Sequence, residues 1–318
     1  MYYLGVDVGG TNIAVGIVDE NNAIIAKASH PTPVPCTEDA FCDAILAVCN
    51  DALAKAGLTL DDVPWIGIGC PGTVNRATGI IEFANNLYFK NFKLRDMMAE
   101  RTNGKLVILE NDANAAAYGE YQAGALAGAD NALAITLGTG VGGGVVLDGK
   151  MLTGYTGAAS ELGHMVIRAG GEECTCGRRG CFEAYASATA LIRETKRAMA
   201  AHPESRMHAA AEENGAVDGR TAFIAAQRGD AAAQAVVDRY LDDLACGVAN
   251  IVNIFFPEVI ALSGGVANQG DTLLVPLRER VRALSYGSRY AVRHTRIELC
   301  TLGYRAGVIG AALLAKQS

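Results

Sequence analysis

A pattern of strand, glycine–threonine turn, strand and acidic turn occurs twice in this chain, and it limits the fold more than any bulk property does. Asp7-Val8-Gly9-Gly10-Thr11 links the apolar runs 2–8 and 13–19, and Gly138-Thr139-Gly140 links a second pair. With the turns aligned, each copy reaches an aspartate ten residues on, Asp19 or Asp148, directly after Val15–Val18 or Val145–Leu147. Such a repeat predicts two related lobes that face a common cleft. The length agrees, because 318 residues exceed the roughly 250–300 at which one hydrophobic core divides.

Between the repeats the chain reads as α/β. Residues 2–8, 13–19 and 23–28 have the character of short strands joined by Gly- or Asn-containing turns. Phe41, Ile45, Leu46, Val48, Cys49 and Leu53 recur at helical spacing over 38–56, and Gly57 is a plausible stop. Ile66-Gly67-Ile68-Gly69 and Leu106-Val107-Ile108-Leu109 are the uninterrupted apolar runs that buried parallel strands show. Further helices are expected at 113–127, 183–201, 230–253 and 305–316, and 202–220 reads as a surface excursion. The expected division is a small α/β lobe, 1–112, completed by a C-terminal helix at 305–318, and a large α/β lobe, 113–304.

The charge balance is 27 basic against 34 acidic residues, a net −7, which disfavours nucleic acid and acidic membranes as partners. The first strand begins at residue 2 without a basic leader, and the apolar stretch Val248–Leu262 is broken by Asn250, Asn253, Pro257 and Glu258. It falls short of the ~20 apolar residues of a membrane span. The nine cysteines are odd in number, so reduced thiols in a cytoplasmic protein are expected, with a metal site among them.

Three glycine segments are candidate phosphate sites. At Asp7–Thr11 an acid at a strand end precedes a turn whose amides a ligand can approach, and Asp7 can orient Mg²⁺ through water. The same residues also suit a plain hairpin. Residues 138–143 match G-x-G-x-x-G, but Gly144-Val145-Val146-Leu147 follows where a dinucleotide fold needs a helix. Ser263-Gly264-Gly265, after the apolar run Val259–Leu262, is equally a backbone approach for a ligand or a strand-to-helix turn.

His164, Cys174, Cys176 and Cys181 are spaced H-x9-C-x-C-x4-C, with Gly170, Gly171, Gly177 and Gly180 bending the chain between them. Three thiolates and one imidazole form a closed tetrahedral set of the structural Zn²⁺ kind. In Glu110-Asn111-Asp112-Ala113-Asn114, Asp112 can accept the proton of an attacking hydroxyl while Asn111 fixes a neighbouring one. Either residue can instead simply cap the helix that follows. Glu161, His164 and Glu183 bracket the metal loop and suit a polyol, with one His164 nitrogen on zinc and the other on a hydroxyl.

Together, Asp7–Thr11, Leu137–Gly144, Glu161-Leu162-Gly163-His164 and Cys174-x-Cys176-Gly177-x-x-Gly180-Cys181-x-Glu183 resemble the ROK family (repressors, open reading frames, kinases), in order from residue 2 to about 310. Within it the likeness is to the bacterial glucokinase type. The resemblance implies an actin-like (ribonuclease H-like) two-lobed ATPase fold, assembled as a homodimer or homotetramer. It implies ATP-dependent phosphorylation of a hexose 6-hydroxyl, glucose first, with N-acetylmannosamine, fructose, allose or N-acetylglucosamine as alternatives. It makes Asp112 the base and places the sugar on Gly72, Asn85, Asn111, Asp112, Glu161, His164 and Glu183, with Asn86 as an alternative to Asn85. ATP–Mg²⁺ falls to Asp7, Gly9, Gly10, Thr11, Asn12, Thr139, Gly140, Gly264 and Gly265. His164 and the three cysteines match the family's zinc ligands. A repressor of the same family would need a DNA-binding segment before the first strand, and a sugar sensor would bind without turnover.

Overall fold

The computed structural model describes residues 1–317 except Thr156, Ala158, Arg289 and the Gln317 side chain. Its elements run β1 (Tyr3–Val8), β2 (Asn12–Val18), β3 (Ile24–Pro31), α1 (Glu38–Ala56), β4 (Trp65–Cys70), β5 (Thr73–Asn75), β6 (Ile80–Ala84), β7 (Phe89–Phe92), α2 (Leu94–Arg101), β8 (Leu106–Asn111) and α3 (Asp112–Ala123). The chain continues through β9 (Ala132–Leu137), β10 (Val141–Leu147), β11 (Lys150–Met151), α4 (Glu183–Ala186), α5 (Ala188–Ala201), α6 (Met207–Asn214) and α7 (Thr221–Gln227). It ends with α8 (Ala231–Phe255), β12 (Val259–Ser263), α9 (Asp271–Leu284), β13 (Arg296–Leu299) and α10 (Arg305–Leu313).

The internal repeat is visible in the sheets. One has the order β3-β2-β1-β4-β8 and the other β11-β10-β9-β12-β13, the same plan of five strands. In each, the outer pair at one edge is antiparallel (β2 with β3, β10 with β11) and the pair at the other edge parallel (β4 with β8, β12 with β13). Each glycine turn therefore joins the first and second strands of its own sheet.

Two compact units result: Met1–Leu133 with Gly144–Ser160 and Cys300–Ser318, and Ala134–Gly143 with Glu161–Leu299. The expected boundary at 112/113 falls one residue into α3, inside the first unit. Helix α3 stays there because it packs on α10. That packing is unusually close. A Cβ at Gly5 or Gly67 would collide with the carbonyl oxygen of Val308 or Ala311, so α10 lies directly on β1 and β4. The buried Glu120 carboxylate secures the chain's return by accepting the amides of Thr301 (3.1 Å) and Leu302 (2.8 Å).

Local signals explain most elements. The Thr37 hydroxyl accepts the Ala40 amide at 3.2 Å to begin α1, and left-handed Gly57 (φ 68°) ends it. Its apolar face buries Phe41, Ile45, Val48 and Cys49. One expectation is corrected: 202–220 is not merely a surface excursion. It contains α6, whose Met207 and Ala210 are fully buried, closed by left-handed Gly215. A helix of eight residues has too few apolar positions to stand out by periodicity. Likewise 183–201 is two helices, because Ser187 leaves helical geometry and caps α5 through Ala190. No helix among the described residues is long and apolar enough to cross a membrane.

Candidate active site and metal centre

In the first unit the parallel strands β1, β4 and β8 end together, which brings Asp7, Cys70 and Asn111–Asp112 to the carboxyl end of the strands. Asp7 is largely enclosed; burial first, and the charge of Asp112 second, raise its carboxyl to about 6. Asn111 caps α3: its Oδ1 accepts the amides of Ala113 (2.9 Å) and Asn114 (3.2 Å). The cap leaves its Nδ2 able to donate to the Gly72 carbonyl at 3.0 Å. Asp112, the first helical residue, has its Oδ1 on the Ala113 amide at 2.9 Å, which orients the carboxylate.

Gly72 has φ 102°, and a Cβ there would collide with the Phe83 carbonyl oxygen. Only glycine permits this contact, which sets the 70–73 turn against Phe83-Ala84 and hence beside Asn85 and Asn86. Both asparagines are exposed. Asn86 is the nearer to the first glycine turn, its Cβ 4.0 Å from where a Cβ on Gly10 would lie. That turn is closed by the Gly9 amide on the Asn12 carbonyl (2.8 Å), and the Thr32 hydroxyl holds the Gly9 carbonyl at 2.7 Å. Gly10, Thr11 and Asn12 are exposed.

In the second unit the Gly138 amide closes its turn on the Gly140 carbonyl at 3.0 Å. The start of α5 grips the same turn, with the Ala188 amide on the Gly138 carbonyl (2.8 Å) and the Thr189 hydroxyl on the Thr139 carbonyl (2.7 Å). Strand β10 follows at once, so the glycine motif is a hairpin here. Gly264 (φ 88°) is pressed against Leu137, and Ser263 Oγ lies 3.0 Å from Thr136 Oγ1. The Gly138–Gly140 and Gly264-Gly265 segments are thus neighbours despite their distance in sequence.

All four metal-candidate donors, from His164, Cys174, Cys176 and Cys181, lie within 4.8 Å of one another. Cys174 Sγ is 3.7 Å from His164 Nδ1, and Cys176 Sγ is 3.7 Å from Cys181 Sγ. Zn–S bonds of ~2.3 Å imply tetrahedral edges of about 3.8 Å, so the set fits zinc. The amide and guanidinium of Arg178 lower the Cys176 thiol to about 6, while burial pushes Cys174 up to about 12, a cost that a bound cation would offset. His164 faces the thiols through Nδ1, which leaves Nε2 for another partner.

Glu183 ties this loop to the glycine turn. Its Oε2 accepts the Val141 amide at 3.0 Å, and its Oε1 accepts Thr175 Oγ1 at 2.9 Å and Cys174 Sγ at 3.4 Å. A Cβ on Gly140 would collide with it. Both oxygens therefore have donors within the protein, a tie that sequence reasoning did not foresee. Glu161 is exposed and begins the short turn that carries His164, whose amide donates to the Glu161 carbonyl at 3.0 Å.

Two further residues were missed. Glu110 is fully buried; its Oε1 accepts the Asn111 amide (2.9 Å) and Asn114 Nδ2 (3.1 Å), and its Oε2 lies 3.1 Å from Arg76 Nη1. A carboxylate inside an apolar strand end was a usable signal for Glu110. Arg76 offered none, since its partner is distant in sequence.

The ROK family model matches residues 3–318. The glucokinase of Thermotoga maritima is 40% identical over 315 residues, 99% of this chain and 97% of that one. A ROK family glucokinase from Streptomyces griseus, solved in complex with glucose and AMPPNP, has a TM-score of 0.81 at 36% identity, over 100% of both chains. ROK hexokinase from Thermus thermophilus has a TM-score of 0.84 at 34% identity, also over 100% of both. With these structures the chain shares an α/β fold of the actin-like kinase type. By sequence and by fold, the chain belongs to the ROK family.

Proposed function

We propose that this protein is an ATP-dependent hexokinase-type phosphotransferase that converts glucose to glucose 6-phosphate, with Asp112 as general base. The observation that carries the reading is the start of α3, where Asn111 anchors the Gly72 turn and Asp112 stands beside the buried Asp7. The similarity to glucokinases favours glucose as the hexose.

As the sugar oxygen bonds to the γ-phosphorus, Asp112 takes the 6-hydroxyl proton, the bond to the β,γ-bridging oxygen breaks and ADP leaves. The sugar hydroxyls are assigned to Gly72, Asn85, Asn111, Glu161, His164 and Glu183. The turns at Gly9–Asn12, Thr139-Gly140 and Gly264-Gly265 are assigned the phosphate oxygens, for which such turns are suited. Mg²⁺ held near Asp7 would neutralise phosphate charge, and its attraction would relieve the unfavourable burial of that carboxyl. Zn²⁺ on His164, Cys174, Cys176 and Cys181 would hold the loop that positions His164 and Glu183, without chemistry of its own. The hexose preference is assigned to the β5–β7 segment, 73–92, and to residues 151–160, of which Thr156 and Ala158 lie outside the described residues. We read the protein as a cytoplasmic homodimer or homotetramer with no nucleic-acid or membrane partner, in keeping with its net charge of −7.

A coupled ADP-release assay with glucose, N-acetylmannosamine, fructose, allose and N-acetylglucosamine tests this directly. Glucose should give the highest kcat/KM. Binding of glucose without ADP release would select a sugar sensor instead.

A further inference from the structure

We propose that Glu110 and Arg76 form a positioning pair that fixes the sugar-binding turn relative to the general base, an inference that rests on the hexose-kinase reading. Strand β8 lies at the edge of its sheet, and the Asn111 amide at its end is satisfied by the Glu110 side chain. The same oxygen accepts Asn114 Nδ2 at 3.1 Å. One carboxylate oxygen thus brackets Asp112 from both sides along the chain. The other faces Arg76 at 3.1 Å and has no hydrogen-bond donor of good geometry, so the guanidinium charge is its compensation.

Arg76 follows β5, the strand that leaves Gly72, so the pair is a second tie between the 72–76 segment and the start of α3. The first tie is Asn111 Nδ2 on the Gly72 carbonyl. Together they hold the Gly72 turn, Asn111 and Asp112 as one body. A general base and a hydroxyl-orienting turn need such rigidity, because an error of about 1 Å in placement costs up to ~10²-fold in rate.

The two partners are not equivalent. The Glu110 side chain is 1% exposed and the Arg76 side chain 27%. Removing Arg76 strands a buried carboxylate, whereas neutralising Glu110 leaves a guanidinium that can turn to water. Glutamine at position 110 still presents an acceptor to Asn111 and Asn114. The pair should therefore respond asymmetrically, and loss of the acid should rescue loss of the base.

The experiment compares Arg76→Met, Glu110→Gln and the double variant by steady-state kinetics with glucose and Mg-ATP, alongside thermal unfolding. Arg76→Met should raise the glucose KM and lower kcat, with kcat/KM down roughly 10–100-fold, while the ATP KM stays within about two-fold. Glu110→Gln should be milder, and the double variant should recover to about the level of Glu110→Gln. A purely structural role would lower the unfolding temperature and the active fraction without moving the glucose KM. A glucose KM unchanged by Arg76→Met, or a double variant no better than Arg76→Met, overturns the proposal. If Arg76→Met does not fold, the double variant decides: it must fold and turn over like Glu110→Gln, and its failure to do so contradicts the pair. Absence of turnover in the unaltered protein would instead contradict the kinase reading itself.

Discussion

The two glycine turns are built alike and charged differently. Each is closed by one main-chain hydrogen bond, and each has one carbonyl held at 2.7 Å by a threonine hydroxyl from another element, Thr32 for the first and Thr189 for the second. The first turn carries its own acid, Asp7, one residue before the strand ends. The second borrows one: Glu183 arrives from beyond the cysteine loop and accepts the Val141 amide. A repeated backbone scaffold thus supports unequal electrostatics. The first turn sits by an acid whose burial disfavours its charge, and the second depends on a metal-candidate loop staying folded.

The largest expected effect breaks the comparison on the side of the first unit. Asp112→Ala should lower kcat by ~10²–10⁴-fold, while calorimetry shows glucose affinity largely retained. Next, on the side of the second unit, zinc chelation or Cys176→Ser should free Glu183 and slacken the turn, lowering kcat/KM by roughly 10–100-fold. A fall in unfolding temperature should accompany it, and metal analysis checks the cause.

The acid of the first turn gives a stability test. Asp7 is raised to about 6 in the fold from an unfolded value of 3.8, so between those values the native state holds more protons than the unfolded one. Stability from this group is therefore present at low pH and lost as pH rises through about 6. Asp7→Asn should stabilise the nucleotide-free protein by up to about 3 kcal/mol at pH 8, with no gain at pH 3. Denaturant titrations at the two pH values measure the difference. The smallest effects sharpen the likeness: Thr32→Val and Thr189→Val each remove one hydrogen bond and should raise the ATP KM about 2–10-fold, leaving the glucose KM unchanged.

What could be read from sequence follows the same division between local and borrowed. Helix α1 with its Gly57 stop, the two hairpins and the His164–Cys181 cluster depend on neighbours along the chain, and their signals are local. The pairing of Gly264 with Leu137, the tie from Glu183 to Val141 and the ion pair of Arg76 with Glu110 join residues far apart, and no spacing encodes them. The burial of Met207 and Ala210 in α6 was hidden because so short a helix has too few apolar positions to show a period. Asn111 illustrates a different limit: its helix cap is local, whereas the reach of its Nδ2 to the Gly72 carbonyl joins residues that no spacing pairs.

The most direct test follows the phosphate. The protein is incubated with Mg-ATP and glucose labelled with carbon-13 at C6, and phosphorus and carbon NMR spectra are recorded with ADP measured in parallel. The account predicts carbon–phosphorus coupling at C6, one sugar phosphate per ADP, and almost none from an Asp112→Ala variant that still binds glucose. Phosphate on another oxygen, ADP without sugar phosphate, or near-normal turnover by that variant would contradict it.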